Sequence, residues 1–348
     1  MKAYFKPYTL DFINPSGTSR GVLRQKKTYF IFIEDKDKLG VGEAALFEGL
    51  SYDDQPDYEK QLQWTCDNID LGKEKLLLEN KEFPSIQFGL ETAFLSFEAD
   101  TPFEIFPSAF TKGKDSIKIN GLIWMGEKAF MKTQIKDKIQ QGFSCVKMKI
   151  GAINFEEELA LLKFIRQEFS AEDIELRVDA NGAFSPEKTL EKLKRLSDFD
   201  LHSIEQPIKQ GQWQEMAGLC EVTPLPIALD EELIGITDVT KRKELLLTIQ
   251  PQYIILKPAL VGGLSESKNW IDLADEQHIG SWITSALESN IGLNAIAQYT
   301  YTLNPDMPQG LGTGSLFSNN FESPLEVRGE RLCYNPGNSW GDLKDIML

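Results

Sequence analysis

The sequence predicts an α/β chain built on a barrel of parallel strands, with an α+β unit in front of it. Three observations carry that expectation. From about residue 116 onward, short β-branched or apolar runs alternate with amphipathic helices at a regular spacing. The chain has 348 residues, whereas one barrel commonly uses about 250, which leaves roughly 100 for a second unit. No Gly-rich phosphate loop of the GxGxxG or Walker kind follows the first barrel strand or occurs elsewhere, which argues against an open doubly wound sheet.

Taken in order, the first stretch alternates as strands do, with AYFKPYTLDFI and KKTYFIFIED separated by the loop NPSGTSRG, and predicts a β-meander. After a loop around ALFEGLSYDDQ, segments near residues 55 to 80 and 85 to 99 read as helices rich in Leu, Glu, Lys and Phe. Residues 1 to about 115 therefore form the α+β unit. The barrel strands are SIKINGLIW, SCVKMKIG, IELRVD, LHSIEQ, PIALD, YIILK, SWITSA and QGLGTG. Helices such as EKAFMKTQIKDKIQ, FEEELALLKFIRQEF and PEKTLEKLKRLSD lie between them, the last with Ser185 as its N-cap and Pro186 at the first helical position.

Bulk properties exclude several function classes. A net charge of −16 argues against nucleic acid, because a phosphate-binding surface needs clustered Lys and Arg. No apolar run approaches the roughly 18 residues of a membrane span. The start MKAYFKPYTLDF lacks the apolar core of a signal peptide, so the expected location is the cytoplasm, away from membranes. Cys66, Cys145, Cys220 and Cys333 are far apart, with no zinc-ligand spacing, and read as reduced thiols. With His202 and His278 as the two histidines, a histidine-rich metal site is excluded.

In a parallel barrel the chemistry collects where strands end at their C-terminal side. Three successive strands here finish in a carboxylate: Asp179, Glu205 and Asp230, 26 and 25 residues apart, about one βα repeat each. A single loop acid is ordinarily a helix cap or a solvated charge; three in register point to one place. Their mutual repulsion is relieved by a hard divalent cation, and an all-oxygen set without His or Cys suits Mg²⁺, with Mn²⁺ as a substitute. Lysines frame the acids. Lys147 and Lys149 are two apart and share a strand face, and Lys257 ends YIILK, giving the order Lys, Asp, Glu, Asp, Lys around the barrel. Such a set can take a proton from the carbon next to a substrate carboxylate: the metal stabilises the enediolate and a lysine accepts the proton. A Schiff-base lysine competes chemically but leaves the aligned acids unexplained.

These residues resemble the enolase superfamily, and more closely its muconate-lactonizing-enzyme-like branch. VKMKIG, VDANGAF, SIEQP, IALDE and ILKPAL match its pattern in order and spacing, and the similarity covers essentially the whole chain. The resemblance implies a modified (β/α)7β TIM-type barrel at 116–311. It also implies an α+β capping domain at 1–115, completed by residues from about 312 to 348. By residue, it implies Asp179, Glu205 and Asp230 as Mg²⁺ ligands, Lys149 as the acid/base and Lys257 on the opposite face. It further implies that NPSGTSRG and the loop near FEGLSYD close over the site. The seventh strand, SWITSALES, carries no histidine base, and GLGTGSLFSNN lacks the DxD of dipeptide epimerases. Together with TSALESNIGL and TSRGVL, that stretch is similar to the o-succinylbenzoate synthase family. The implied reaction is dehydration of 2-succinyl-6-hydroxy-2,4-cyclohexadiene-1-carboxylate in menaquinone synthesis, with a small-molecule carboxylate as partner.

Supporting roles stay open for other residues. Lys147 faces the same way as Lys149. Arg177 shares the face of Asp179 and either backs the metal site or packs its stem. Asn181 supports the ligands or makes a turn, and Ser285 donates to a substrate carboxylate or is a structural hydroxyl. An N-acylamino acid racemase or dipeptide epimerase on the same frame, and a non-catalytic binding protein, are the alternatives. Oligomeric state is not legible.

Overall fold

The computed structural model describes residues 1–18 and 21–341. Strands β1 (Lys2–Thr18), β2 (Gly21–Asp35) and β3 (Lys38–Ala44) form an antiparallel meander. NPSGTSRG is not a plain loop: β1 and β2 stay paired through Ser16↔Leu23 and Thr18↔Gly21, beyond a bulge between Asp11 and Ser16. Ser19 and Arg20, at the tip of that stretch, lie outside the described residues. Helices α1 (Tyr58–Asp67), α2 (Lys73–Glu79) and α3 (Pro84–Glu98) follow, and α3 packs on β3. Gly42 allows that approach, since a Cβ there would stand 2.0 Å from the Gly89 carbonyl oxygen. Tyr29, Ile31 and Ile33 of β2 meet Leu62, Ile86 and Leu90 in the core of this unit.

The next segment splits where the sequence predicted one strand. Within SIKINGLIW, β4 (Ser116–Lys118) leaves the barrel and β5 (Gly121–Ile123) begins it. Helix α4 (Lys128–Gln140) leads to β6 (Cys145–Lys149), α5 (Phe155–Glu168) to β7 (Glu175–Asp179), and α6 (Pro186–Ser197) to β8 (Ser203–Glu205). Then come α7 (Trp213–Val222), β9 (Ile227–Leu229), α8 (Val239–Ile249), β10 (Tyr253–Leu256), α9 (Pro258–Val261), α10 (Leu264–Asp275), β11 (Gly280–Ile283) and α11 (Asn290–Thr302). Side-chain oxygens of Asn154, Asp238 and Ser289 cap α5, α8 and α11, as their types favour. Ser185 stands at the N-cap of α6 without capping a helix N–H, because its hydroxyl turns to the Glu187 carboxylate.

Strands β5 to β11 form a seven-stranded parallel sheet in sequence order. The expected eighth strand is reduced to a stitch: Gln309 bridges Ile119 and Gly310 bridges Thr284, both parallel, which closes the barrel. Strands β12 (Leu325–Arg328) and β13 (Arg331–Tyr334) make a second antiparallel sheet with β4, which is why β4 leaves the barrel. Between these the chain returns to the meander. Ser318 N donates to the Asp11 carbonyl, Phe317 meets Phe12 edge-on and Phe321 meets Phe30. The cysteines are free thiols. Among the described residues, no helix is long and apolar enough to cross a membrane.

Candidate active site

The parallel register gathers the strand-end residues. Lys149 pairs with Asp179 and Asp179 with Glu205 as neighbours across β6, β7 and β8. Asp230 follows the last residue of β9, and Lys257 the last residue of β10. Lys149, Asp179, Glu205 and Lys257 line a cavity of about 680 Å³, with Phe47, Leu50, Trp124 and Leu287 among its apolar walls, and Asp230 stands behind Lys257, which donates to it. Phe47 and Leu50 come from the FEGLSYD loop of the N-terminal unit.

Each carboxylate is turned onto a lysine. Lys147 Nζ donates to Glu205 Oε2 at 2.7 Å and to Asp179 Oδ2 at 3.4 Å. Lys149 Nζ donates to Asp179 Oδ2 and to Asn181 Oδ1, both at 2.8 Å. Lys257 Nζ donates to Asp230 Oδ2. So turned, no three acidic, His or Cys side chains among the described residues stand close enough about one point to enclose a metal ion. Asp179 Oδ1 accepts from Asn181 N at 3.0 Å instead, and Glu205 Oε1 is buried and unbonded among the described residues.

Burial and crowding set the charges here. Desolvation, reinforced by Asp179, pushes the Glu205 carboxyl up to about 8 against the pull of Lys147. Asp179 is also buried, but Lys149 and Lys147 outweigh that and hold its carboxyl well below the usual range. Burial opposes the charge on Lys147 and Lys257, yet the surrounding carboxylates keep both ammoniums above the ordinary lysine range. Three all-oxygen donors at adjacent strand ends, one with an orphaned buried oxygen, are chemically suited to a hard divalent cation.

The supporting candidates separate. Asn181, at φ +44°, accepts from Lys149, and its Nδ2 donates to Glu231 Oε1 at 2.9 Å. Arg177 turns away from the carboxylates: it donates to Glu175 and the Pro308 carbonyl and stacks on Trp282, with its Cζ 4.4 Å from the ring centroid. That arrangement plugs the barrel interior. Ser285 lines the cavity, but its hydroxyl donates to Glu288, while Thr313 donates to it at 2.8 Å.

Two residues of the site were passed over in the sequence. Glu231 lines the cavity beside Asp230, and burial, then Asp230, pushes its carboxyl up. Gln206, buried at φ +37°, accepts from the backbone N–H groups of Asp230 and Glu232, both at 3.2 Å, and fixes the ends of β8 and β9 together. Their signals were the IALDE and SIEQP motifs, whose last acid and glutamine were given no task.

A family model described as enolase C-terminal domain-like matches residues 131–337. An o-succinylbenzoate synthase of Desulfotalea psychrophila is 46% identical over 95% of this chain and 98% of its own. The crystal structure of MenC from the same organism superposes with a TM-score of 0.85 at 43% identity, covering 96% of this chain and 99% of that one. A dipeptide epimerase from Enterococcus faecalis, complexed with Mg and the dipeptide L-Leu-L-Tyr, reaches a TM-score of 0.83 at 17% identity and covers 98% of both chains; it shows the shared fold.

Proposed function

The chain belongs to the enolase C-terminal domain-like family, and from that premise we propose that it is an o-succinylbenzoate synthase of menaquinone synthesis. It dehydrates 2-succinyl-6-hydroxy-2,4-cyclohexadiene-1-carboxylate to 2-succinylbenzoate, acting in the cytoplasm on this small-molecule carboxylate. The observation that carries the reading is the series Lys149, Asp179, Glu205, Asp230 and Lys257 at the ends of successive parallel strands, four of them lining one cavity and Asp230 bonded to the fourth, in a chain that matches such a synthase along nearly its whole length. Residues 1–115, joined by those from about 312, are assigned as the cap of the barrel.

Asp179, Glu205 and Asp230 would hold Mg²⁺, or Mn²⁺ in its place. When bound, the ion would anchor the substrate carboxylate and offset the charge that gathers on it as the α-proton leaves. Lys149 takes that proton at Nζ, held toward Asp179 and Asn181 by its two hydrogen bonds. The proton then passes to the departing hydroxyl on the same face, so the C–H and C–O bonds break, water leaves and the C–H electron pair completes the aromatic ring. Lys257, across the barrel, steadies the planar anion through its face. The apolar walls exclude water and strengthen these electrostatic contacts.

The test is absorbance loss of the cyclohexadiene on mixing with protein, with Mg²⁺, with EDTA, and with Lys149→Ala. Rapid Mg²⁺-dependent loss that vanishes in the variant supports the reading. No loss above background with Mg²⁺ sinks it and turns attention to proton exchange on N-acyl amino acids and dipeptides, which the opposed lysines would also permit.

A further inference from the structure

Lys26 lies on β2 opposite Leu10, and Leu10 packs on Leu287 and Phe317 at the barrel mouth. Its side chain is buried, and Nζ has no hydrogen-bond partner among the described residues. An ammonium in such a place is costly unless nearby charge answers it. Burial holds the Lys26 amine below the ordinary lysine range, and Glu43 of β3 and Glu288 of the loop between β11 and α11 pull the other way; Thr28, two residues on along the same face of β2, donates to Glu43.

Both carboxylates are committed to the barrel's seventh strand end. Glu43 accepts from Thr28 Oγ1, from Ser289 N and Oγ, and from Gly292 N, joining β3 to the start of α11. Glu288 accepts from Ala286 N and the Ser285 hydroxyl. Ser285, Ala286 and Leu287 are a wall of the cavity. Leu287 holds φ +65°, a left-handed conformation that a branched side chain adopts only when its surroundings over-determine it. Glu43 and Glu288 also repel each other across this contact unless a cation stands near both.

We propose that Lys26 is a positioning residue: reaching from the cap, its ammonium fixes Glu288, and through it the Ser285–Leu287 wall, so that cap docking sets the shape of the substrate pocket. For the identity of the substrate this rests on the synthase reading. The mechanical claim does not, and it can be read without turnover.

The experiment compares the full-length wild type with Lys26→Met, Lys26→Arg and the neutral pair Lys26→Met/Glu288→Gln. Hydrogen exchange of the 283–290 segment is followed by mass spectrometry, alongside KM and kcat for dehydration. Lys26→Met is expected to exchange faster in that segment than elsewhere. Its KM should rise about tenfold, with kcat within about twofold, since a loosened pocket wall acts on ground-state binding. Lys26→Arg, which keeps the charge, should recover most of both. Should Lys26→Met fail to fold, the pair, in which Glu43 is the one carboxylate of the two left and keeps its donors from Thr28, Ser289 and Gly292, is read instead and should show the same segment loosened. Wild-type exchange and KM in whichever variant folds would overturn the proposal, as would a loss confined to kcat. Absence of wild-type turnover would count against the synthase reading and leave the exchange result to decide the role of Lys26.

Discussion

Glu205→Gln should stabilise the metal-free protein at alkaline pH even though it removes a residue assigned to the metal. The Glu205 carboxyl rises from 4.5 to about 8 in the folded chain, so the native state binds a proton that the unfolded state has released. Stability is therefore full below about pH 4.5 and falls as pH climbs through about 8. At ~1.4 kcal/mol per tenfold change in proton affinity, the loss approaches about 5 kcal/mol. Gln mimics the neutral acid, but its amide meets the Lys147 ammonium, a donor facing a donor, which returns about 1–3 kcal/mol. The net gain at pH 9 in EDTA is then about 2–4 kcal/mol. Urea melts at pH 6 and pH 9, with EDTA and with Mg²⁺, read it directly. Mg²⁺ at a hundred times its dissociation constant should stabilise the wild type by about 2.7 kcal/mol, and the variant by much less. A variant weaker than the wild type at pH 9 in EDTA, or stabilised equally by Mg²⁺, would refute the argument.

Three further outcomes are expected. Lys257→Met keeps the stem and removes the charge across the barrel; a desolvated cation over a ring is worth about 2 kcal/mol, so kcat should fall about thirtyfold in the dehydration assay. Asn181→Ala removes the acceptor 2.8 Å from Lys149 and the donor to Glu231; steady-state kinetics should show kcat lowered about tenfold with KM little changed, as when an aligned base loses its guide. Gly310→Ala would set a Cβ 2.0 Å from Thr284 Oγ1 where the barrel closes, and a thermal melt should register a loss of about 2–4 kcal/mol.

What the sequence disclosed follows from what is local. The acids and lysines end apolar strands at one βα spacing, and parallel register alone makes such residues neighbours. The helices EKAFMKTQIKDKIQ, FEEELALLKFIRQEF and PEKTLEKLKRLSD were legible from their own composition and, for the last, from Pro186 at its start. The departures depend on pairing that composition does not announce. Ser116–Lys118 leaves the barrel because residues 331–333 pair with it, more than two hundred positions away. QGLGTG contributes two bridging residues because its glycines offer little ladder to extend. NPSGTSRG carries loop composition, yet its residues 16–18 continue the hairpin because they pair with 21–23 of β2. Arg177 and Ser285 were ambiguous because their heads are claimed by Glu175 and Glu288, which share no sequence signal with the metal site.

The site's construction separates chemistry from recognition. Every carboxylate and lysine proposed for the metal and for proton transfer sits on or just past a barrel strand, and strand pairing sets the height of Lys149, Asp179 and Glu205. The walls have other origins: Phe47 and Leu50 come from the N-terminal unit, and Ser285–Leu287 from a loop held by Glu288. A change of wall therefore alters which carboxylate is gripped without moving the reacting groups. On the proposed role of Lys26, the N-terminal unit would also act on that wall from behind, because this buried side chain arises from its second strand.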